Sequence, residues 1–469
     1  ISGVLGSYVE LGLDDEDLDE KSTCPELSIY KAFEEQFIVE THDFYARESY
    51  SFLANNSLID YMRKTEHRLA EEQKRVGSYL HKSTEVRLIK TCEEVLIKQH
   101  LALFHQEFQL MLEDGKQDYL SLIYHLVSRI PDGLNQLKTI LENHIVVQGL
   151  AQIEKCGHTA LQDPALFVNT ILDVHNYFDE LVKDAFDGDA YFIASIDKAC
   201  EKFINNNNVT KLAKSNCKPP ELMAKYCDLL LRKSSRNPEE AELEDKLKQV
   251  ITVFRYLVDK DVFQKFYTKF FGRRLIHCTS SSDDAEMSMI SKLKEACGYE
   301  YTSKLQRMYQ DIAVVSKEQN EKFREDLRSK GETLSYDLYV QILTSGSWPM
   351  QQQQDIKLPA ELAAGIERFE SFYHKKSNSR KLTWMVHSSR GEIQAYCFKM
   401  NHVFTASTLQ IALLLQFNDG DSFTVQELAS QTQIEMDILK QVLELLIKAK
   451  LLYDDTDRSK NGECKDNSE

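Results

Sequence analysis

Apolar residues recur three and four positions apart along most of the chain, the spacing that gathers them on one face of a helix. The pattern predicts a short helix over Ile1–Leu13 and long amphipathic helices over Ile29–Asn55, Leu58–Leu80 and Val86–Leu112. The first of these long helices carries Phe33, Phe37, Phe44 and Tyr45, the last Val95, Leu96, Leu101, Phe104 and Phe108. Another starts after Pro131-Asp132-Gly133, with Leu134, Leu137, Leu141 and Ile145 on one face. Leu166–Phe186 and Ala190–Phe203 follow, with breaks at Cys156-Gly157 and Asn205–Asn208. Long helices joined by short loops predict an extended helical-repeat stalk, although no fixed sequence period is visible.

After Pro219-Pro220 the pattern changes. Asn237 is placed to cap a helix with Pro238 at its first position, and Leu243, Leu247, Val250, Phe254 and Leu257 form its apolar face. An aromatic-rich helix starts at Asp261 (Phe263, Phe266, Tyr267, Phe270, Phe271); a third opens on a box of Asp283 and Glu286 and closes at Gly298; Thr302–Lys330 is the fourth. Four such elements predict a bundle. From Leu334 the period shortens to two, so Tyr336, Leu338, Val340 and Ile342 predict a strand over Tyr336–Leu343. A helix over Pro359–Tyr373 and a hairpin over Lys381–Phe398, turning at Ser388–Gly391, complete a small α/β element. Helices over Ser407–Gln416, Thr424–Gln431 and Ile434–Ala449, with short strands at Phe423 and Leu451–Tyr453, read as a winged helix; Thr424 and Glu427 have capping-box spacing. The expected fold is therefore mainly α: a stalk in two parts (1–115 and 116–217), a four-helix bundle (218–332), an α/β element (333–400), a winged helix (401–453) and a polar, disordered tail (454–469).

Composition supports long helices, since only 17 glycines and 8 prolines interrupt the chain. The formal charge is −17, from 57 basic and 74 acidic residues, which argues against general binding to nucleic acid or anionic membranes. The acidic run Asp14–Glu20 reads as a solvated loop. Ten cysteines are scattered without a C-x-x-C pair, so reduced thiols in a cytoplasmic or nuclear protein are expected. No apolar run approaches the roughly 18–20 residues of a membrane span. No signal peptide opens the chain, and its start at Ile1 inside a helical pattern suggests a piece of something longer.

Phosphate-loop, dinucleotide-binding and H-E-x-x-H patterns are missing from the sequence. Cys397 and His402 lie five positions apart with no group placed to orient them, and Cys217 and Cys227 lack zinc-ligand spacing. No catalytic centre, metal or cofactor is expected, and the chain reads as a scaffold. Two basic clusters stand out against the acidic background: Arg232, Lys233 and Arg236, and Lys375, Lys376, Arg380 and Lys381. Each is either a solvated helix end or loop, or an electrostatic landing site for an acidic partner. On the last predicted helix and its approaches Glu435, Asp437 and Glu444 offset Lys440, Lys448 and Lys450, which disfavours DNA binding.

Several stretches resemble the cullin family: Asp261–Tyr267 with Arg273-Arg274-Leu275, Asp283–Glu286 with Met289–Leu293, Cys297–Leu305, Met308–Ile312, Thr344–Pro349 and Arg380–Trp384. Arg47–Ser49 and Glu239–Glu244 extend the resemblance into the helical parts, and it is nearest to cullins of SCF-type ubiquitin ligases. It implies cullin repeats in the stalk and a RING-box protein whose strand joins the cullin's own small sheet. Tyr336, Leu338, Val340, Ile342 and Leu343, with Trp348, Leu382, Trp384 and Val386, match that binding region; both indoles could equally fill the core beneath it. The resemblance also implies a ubiquitin-conjugating enzyme whose acidic tail meets Arg232, Lys233 and Arg236, and a cullin-associated exchange factor. A Skp-type adaptor and F-box proteins would belong to the full-length protein, since the first cullin repeat is expected upstream of Ile1. The neddylated second winged helix is expected beyond Glu469. Two other readings remain: a helical tethering or trafficking subunit, which would lack the Trp-Pro and Leu-Thr-Trp signatures, and a winged-helix DNA-binding regulator.

Overall fold

The computed structural model describes residues 3, 6–8, 28–234, 239–350, 356–376, 380–396 and 401–454. The chain folds as two compact units, residues 1–302 and 303–469. The first holds α1 Ser28–Asn55, α2 Leu58–Tyr79, α3 Glu85–Leu96, α4 Leu101–Asp114, α5 Gln117–Val127, α6 Leu134–Cys156, α7 Thr159–Gln162, α8 Pro164–Ala185, α9 Ala190–Asn205, α10 Asn208–Ala213, α11 Lys218–Leu231, α12 Glu240–Arg255, α13 Lys260–Ile276 and α14 Asp283–Cys297. The division falls inside α15 Tyr299–Gln310. The second unit continues with α16 Lys317–Lys330, α17 Ala360–Lys376, β1 Arg390–Ala395, β2 His402–Ser407, α18 Thr408–Gln416, α19 Val425–Thr432 and α20 Met436–Lys448.

Several starts follow from local chemistry. Ser57 accepts from the Asp60 N–H ahead of α2; Asp163, with Pro164 behind it, accepts from Ala165 and Leu166; Asp189 accepts from Tyr191 and Phe192. These side chains answer N–H groups that a first turn leaves unpaired. The Thr424–Glu427 box opens α19 as expected, and Gly298 closes α14 at φ +87°. Asn237 and Pro238 lie outside the described residues, as do the acidic run and most of Ile1–Leu13; of the latter, residues 3 and 6–8 are helical.

Three helix expectations need correcting. Val86–Leu112 is two helices, joined by a 3₁₀ turn at Lys98–His100. Val95, Leu96 and Ile97 are all buried at this junction, where Ile97 leaves the helix with φ −116° and ψ −59°. Thr302–Lys330 starts earlier, directly after Gly298, and passes through a π-helical turn at Asp311–Ser316. Glu286 is no capping residue, because Ser282 caps α14 and Glu286 lies fully buried elsewhere in the core.

In the first unit α6 and α9 pack most closely, and Gly149 is the reason. A Cβ there would lie 2.7 Å from the ring of Phe203, which is fully buried. Gly149→Ala is expected to destabilise this unit by about 1–3 kcal/mol through overpacking, measured by chemical unfolding followed in far-UV circular dichroism. Nearby, Phe108, Tyr124, Phe186 and Phe192 form an aromatic cluster, with Phe186 and Phe192 centroids 4.6 Å apart. Burial holds the imidazoles of His100, His105 and His144 below their ordinary pKa, His105 despite its hydrogen bond with the Gly133 backbone. Because these folded-state values are depressed, their contribution to stability is complete above about pH 6.5 and is lost as pH falls through the folded values. A lower melting temperature at pH 5.5 than at pH 7.5, reduced in a His105→Gln variant, is the expected result.

In the second unit Phe323, Val340, Phe369, Phe372 and Tyr373 form one core, and Leu409, Leu413, Leu428, Ile434, Leu439, Val442 and Leu446 another. The second core joins α18, α19 and α20 as the expected winged-helix arrangement does, but Phe423 and Leu451–Tyr453 form no strands. Phe423 instead packs edge-on against Phe417 at 5.3 Å. The sheet is antiparallel β1–β2, from Arg390 opposite Ser407 to Ala395 opposite His402. The hairpin is therefore shifted from its expected turn at Ser388–Gly391. Gly391 lies within β1, where its missing Cβ leaves room for Ile411.

Candidate protein-binding site

Tyr336–Leu343 opens on a bend at Ser335–Tyr336 and carries no regular secondary structure after it, and among the described residues neither it nor Leu382–Val386, which runs into a 3₁₀ turn at Val386–Ser388, belongs to a sheet. Both strand expectations are corrected here. The alternation that suggested the first strand is nonetheless real. Leu334, Tyr336, Leu338 and Val340 turn inward between exposed neighbours, and Leu338, Val340 and Ile342 join the Phe323–Phe369 core. Leu382 and Trp384 pack against the same core. Tyr336 donates to the Leu362 carbonyl at 3.0 Å, lying over Gly365, where any Cβ would collide with its hydroxyl.

What the sequence reading missed is the source of the backbone partners. Val340 N–H donates to Asn320 Oδ1 at 2.9 Å, and Asn320 Nδ2 donates to the Val340 carbonyl at 2.7 Å. Ile342 N–H donates to Ser316 Oγ at 2.8 Å, and Thr344 N–H to Asp311 Oδ2 at 2.7 Å. Asp311 also accepts from Thr344 Oγ1 at 2.9 Å and from Trp348 Nε1 at 2.9 Å. Helix side chains thus do for one edge of this segment what a neighbouring strand does in a sheet, and the period-two pattern cannot distinguish the two. The only sequence sign was the Met308–Ile312 motif containing Asp311.

Both indoles are used within the chain. Trp348 is buried with its N–H on Asp311; Trp384 sits edge-on to Phe369 at 6.1 Å and donates to Glu370 at 2.5 Å. Leu343 is half-buried beside Ile342, and Val386 begins the 3₁₀ turn.

The basic cluster is built differently. At the end of α11 the chain turns extended, and Arg232 pairs with Ser280 as an antiparallel bridge: Lys233 N–H donates to Thr279 and Ser281 N–H to Leu231. Arg232 Nη2 lies 2.6 Å from Asp228, whose other oxygen takes Arg274 Nη1 at 2.7 Å. Arg274 is fully buried and grips Glu286 with two bonds, at 2.7 and 2.9 Å, while Ser280 Oγ donates to the same carboxylate at 2.8 Å. Burial opposes the Arg274 charge, yet Glu286 and Asp228 hold its pKa above the ordinary arginine value. Burial also pushes the neighbouring Cys227 thiol up to about 12. Arg232 is thus half-neutralised, Lys233 is exposed, and Arg236 lies outside the described residues. In the second cluster Lys375, Arg380 and Lys381 are exposed. On α20 and its flanks Glu435, Asp437 and Glu444 and Lys440, Lys448 and Lys450 are all exposed, in equal numbers.

Among the described residues the first unit is built of helices and the second of helices with a two-stranded sheet, and each has a counterpart among known families. The cullin alpha solenoid domain matches residues 1–320, and the cullin alpha+beta domain matches residues 342–469. The chain belongs to the cullin family. Within it the chain is cullin-1-like. Cullin-1 of Dictyostelium discoideum is 44% identical over 461 residues, covering 97% of this chain and 59% of that protein. Cullin-1 of Caenorhabditis elegans is 43% identical over 470 residues (99% and 60%), and that of Schizosaccharomyces pombe 41% over 462 residues (96% and 59%). The chain spans about three-fifths of the length of these relatives.

Proposed function

We propose that this chain is scaffold from a cullin–RING ubiquitin ligase of SCF type, without catalytic residues of its own, acting in the cytoplasm and nucleus in ubiquitin-dependent protein degradation. The observation that carries this reading is the segment around Tyr336–Leu343. Its alternate N–H groups from Val340 to Thr344 are held by helix side chains and its apolar side chains lie in a helix-backed core, which keeps the segment in place for pairing with a partner's strand. A RING-box protein would add that strand, contacting the Tyr336, Leu338, Val340, Ile342 and Leu343 segment and the Leu382, Trp384 and Val386 segment, with Trp348 anchoring the end. Catalysis is then positional: the scaffold raises the concentration of substrate near the ubiquitin thioester carried by the conjugating enzyme. Arg232, Lys233 and Arg236 would receive that enzyme's acidic tail. The exchange factor, Skp-type adaptor and F-box proteins are partners proposed for the full-length protein. Residues 1–115 and 116–217 are assigned to cullin repeats, 218–332 to the bundle, 333–400 to RING-box binding and 401–453 to the winged helix.

Co-purification with a RING-box protein, followed by ubiquitin-chain formation by that pair, tests the reading; no association at micromolar concentrations would end it. For the basic cluster Lys233→Glu is cleaner than a change at Arg232, because Arg232 is tied to Asp228. Slower chain formation at low salt is expected, and an unchanged rate would remove the tail-binding assignment.

A further inference from the structure

Arg232 stands at both ends of a closed circuit of contacts. Its backbone pairs with that of Ser280 as an antiparallel bridge, flanked by Lys233 N–H on the Thr279 carbonyl at 2.7 Å and Ser281 N–H on the Leu231 carbonyl at 2.8 Å. From Ser280 the hydroxyl reaches Glu286, Glu286 grips Arg274, Arg274 reaches Asp228, and Asp228 returns to the Arg232 guanidinium. Arg274 and Glu286 are 0% exposed and Asp228 only 7%, so the inner side of the circuit cannot drift. Arg274 is fixed further by lying over Tyr267 and Phe271, at 5.6 and 5.8 Å from their ring centroids. Two guanidinium and two carboxylate groups leave the circuit neutral as a whole. Arg232 is the charge it brings to the surface, with 51% of the side chain exposed. A surface arginine ordinarily samples many rotamers and gives them up when a carboxylate binds. Here that freedom is already restricted in the free chain. Asp228 cannot follow a moving guanidinium, because its other oxygen is tied to buried Arg274, and the bridge to Ser280 fixes the backbone from which Arg232 extends.

We propose that Asp228 is a positioning residue: held by Arg274 and Glu286, it sets the Arg232 guanidinium as a preformed fork for one carboxylate of an acidic polypeptide tail. The inference deepens the tail-binding reading above and rests on it. It gives the two described members of the basic cluster different tasks. Arg232 supplies geometry, because a guanidinium can take a carboxylate through paired N–H groups. Lys233 is exposed, has no acidic partner among the described residues, and supplies charge. Asp228 need not touch the tail. Its own charge repels an acidic peptide, so the sign of its effect on binding separates positioning from plain electrostatics.

The test is the affinity of the whole chain for a fluorescent oligoglutamate peptide, measured by anisotropy at low and at physiological salt for the parent, Asp228→Asn and Arg232→Lys. Positioning predicts that Asp228→Asn binds about three- to tenfold more weakly although it removes an acid, whereas charge alone predicts tighter binding. Arg232→Lys is expected to lose a similar factor while keeping the parent's salt dependence, because the fork goes and the charge stays. This second variant lies at an exposed position, so it still tests the inference if circular dichroism shows that Asp228→Asn disturbs the fold. Binding by folded Asp228→Asn as tight as the parent's or tighter overturns the inference while leaving the tail-binding reading intact. So does an Arg232→Lys variant indistinguishable from the parent. A parent chain with no salt-dependent affinity for the peptide ends that reading, and the inference with it.

Discussion

Replacing Arg274 with methionine is expected to cost the first unit about 3–5 kcal/mol, the range for breaking a buried ion pair from one side. The side chain is fully buried and joins three elements: α13, which carries it, α14 through Glu286, and α11 through Asp228. With the guanidinium gone, Glu286 is left a buried carboxylate whose remaining hydrogen-bond partner in the network is Ser280. Asp228 suffers less because Arg232 still holds its second oxygen. The double variant Arg274→Met with Glu286→Leu should therefore recover most of the loss, since apolar replacement of a whole buried pair is often near neutral. The measurement is denaturant unfolding by circular dichroism; both tryptophans, Trp348 and Trp384, belong to residues 303–469 and report that unit separately. A single variant as stable as the parent would show that the buried ion pair makes no net contribution to the fold. The recovered double variant has a functional use as well. If it folds but chain formation slows, the network matters for holding Arg232 and Lys233 in place rather than for stability alone.

How legible these features were depended on whether a residue's partner is close in sequence. Helix faces were legible because each depends on neighbours three and four positions away, and the Thr424–Glu427 box and the Gly298 stop are equally local. The split at Ile97 was not, because no glycine, proline or capping side chain marks it in the sequence. Glu286 shows the limit most clearly. Its spacing from the start of α14 suits a capping residue, yet a buried arginine twelve positions back in the chain claims it. The expected strand was right about which side chains face the core and wrong about structure and partnership: Leu338, Val340 and Ile342 face a core as strand residues do, but no strand forms and the bonds come from Asp311, Ser316 and Asn320. A polar side chain on a helix face gives no sign of whether it meets water or another segment's backbone. Gly391 was taken for a turn because glycine punctuates turns, whereas here it makes room for Ile411 inside a strand. The family resemblance supplied what local pattern could not, since it fell on Arg273–Leu275, Asp283–Glu286, Met308–Ile312 and Thr344–Pro349, which include Arg274, Glu286, Asp311 and Trp348.

Asp311→Ala is expected to destabilise the second unit by about 3 kcal/mol and to shift the emission of Trp348 to longer wavelength. The carboxylate accepts from Thr344 N–H, Thr344 Oγ1 and Trp348 Nε1, and its own exposure is 2%. Losing it strands three donors at once. Each buried orphan costs about 1–3 kcal/mol, with the lower end fitting Thr344, which is only half-buried and can turn to water. Arg307, whose Nε lies 3.7 Å from Asp311 and 3.2 Å from Thr344 Oγ1, is half-exposed and loses little. Asp311→Asn should fall between the two, because its amide keeps one acceptor oxygen but turns an NH₂ group toward another donor. In a Trp384→Phe background the emission comes from Trp348 alone, so the red shift can be assigned without ambiguity. The variant should also release Thr344 N–H to solvent while leaving Val340 N–H on Asn320, because the two bonds are made by separate side chains. Equal emission and equal stability in variant and parent would mean that the indole is held by packing alone, and the anchoring of residues 340–348 would then rest on Ser316 and Asn320.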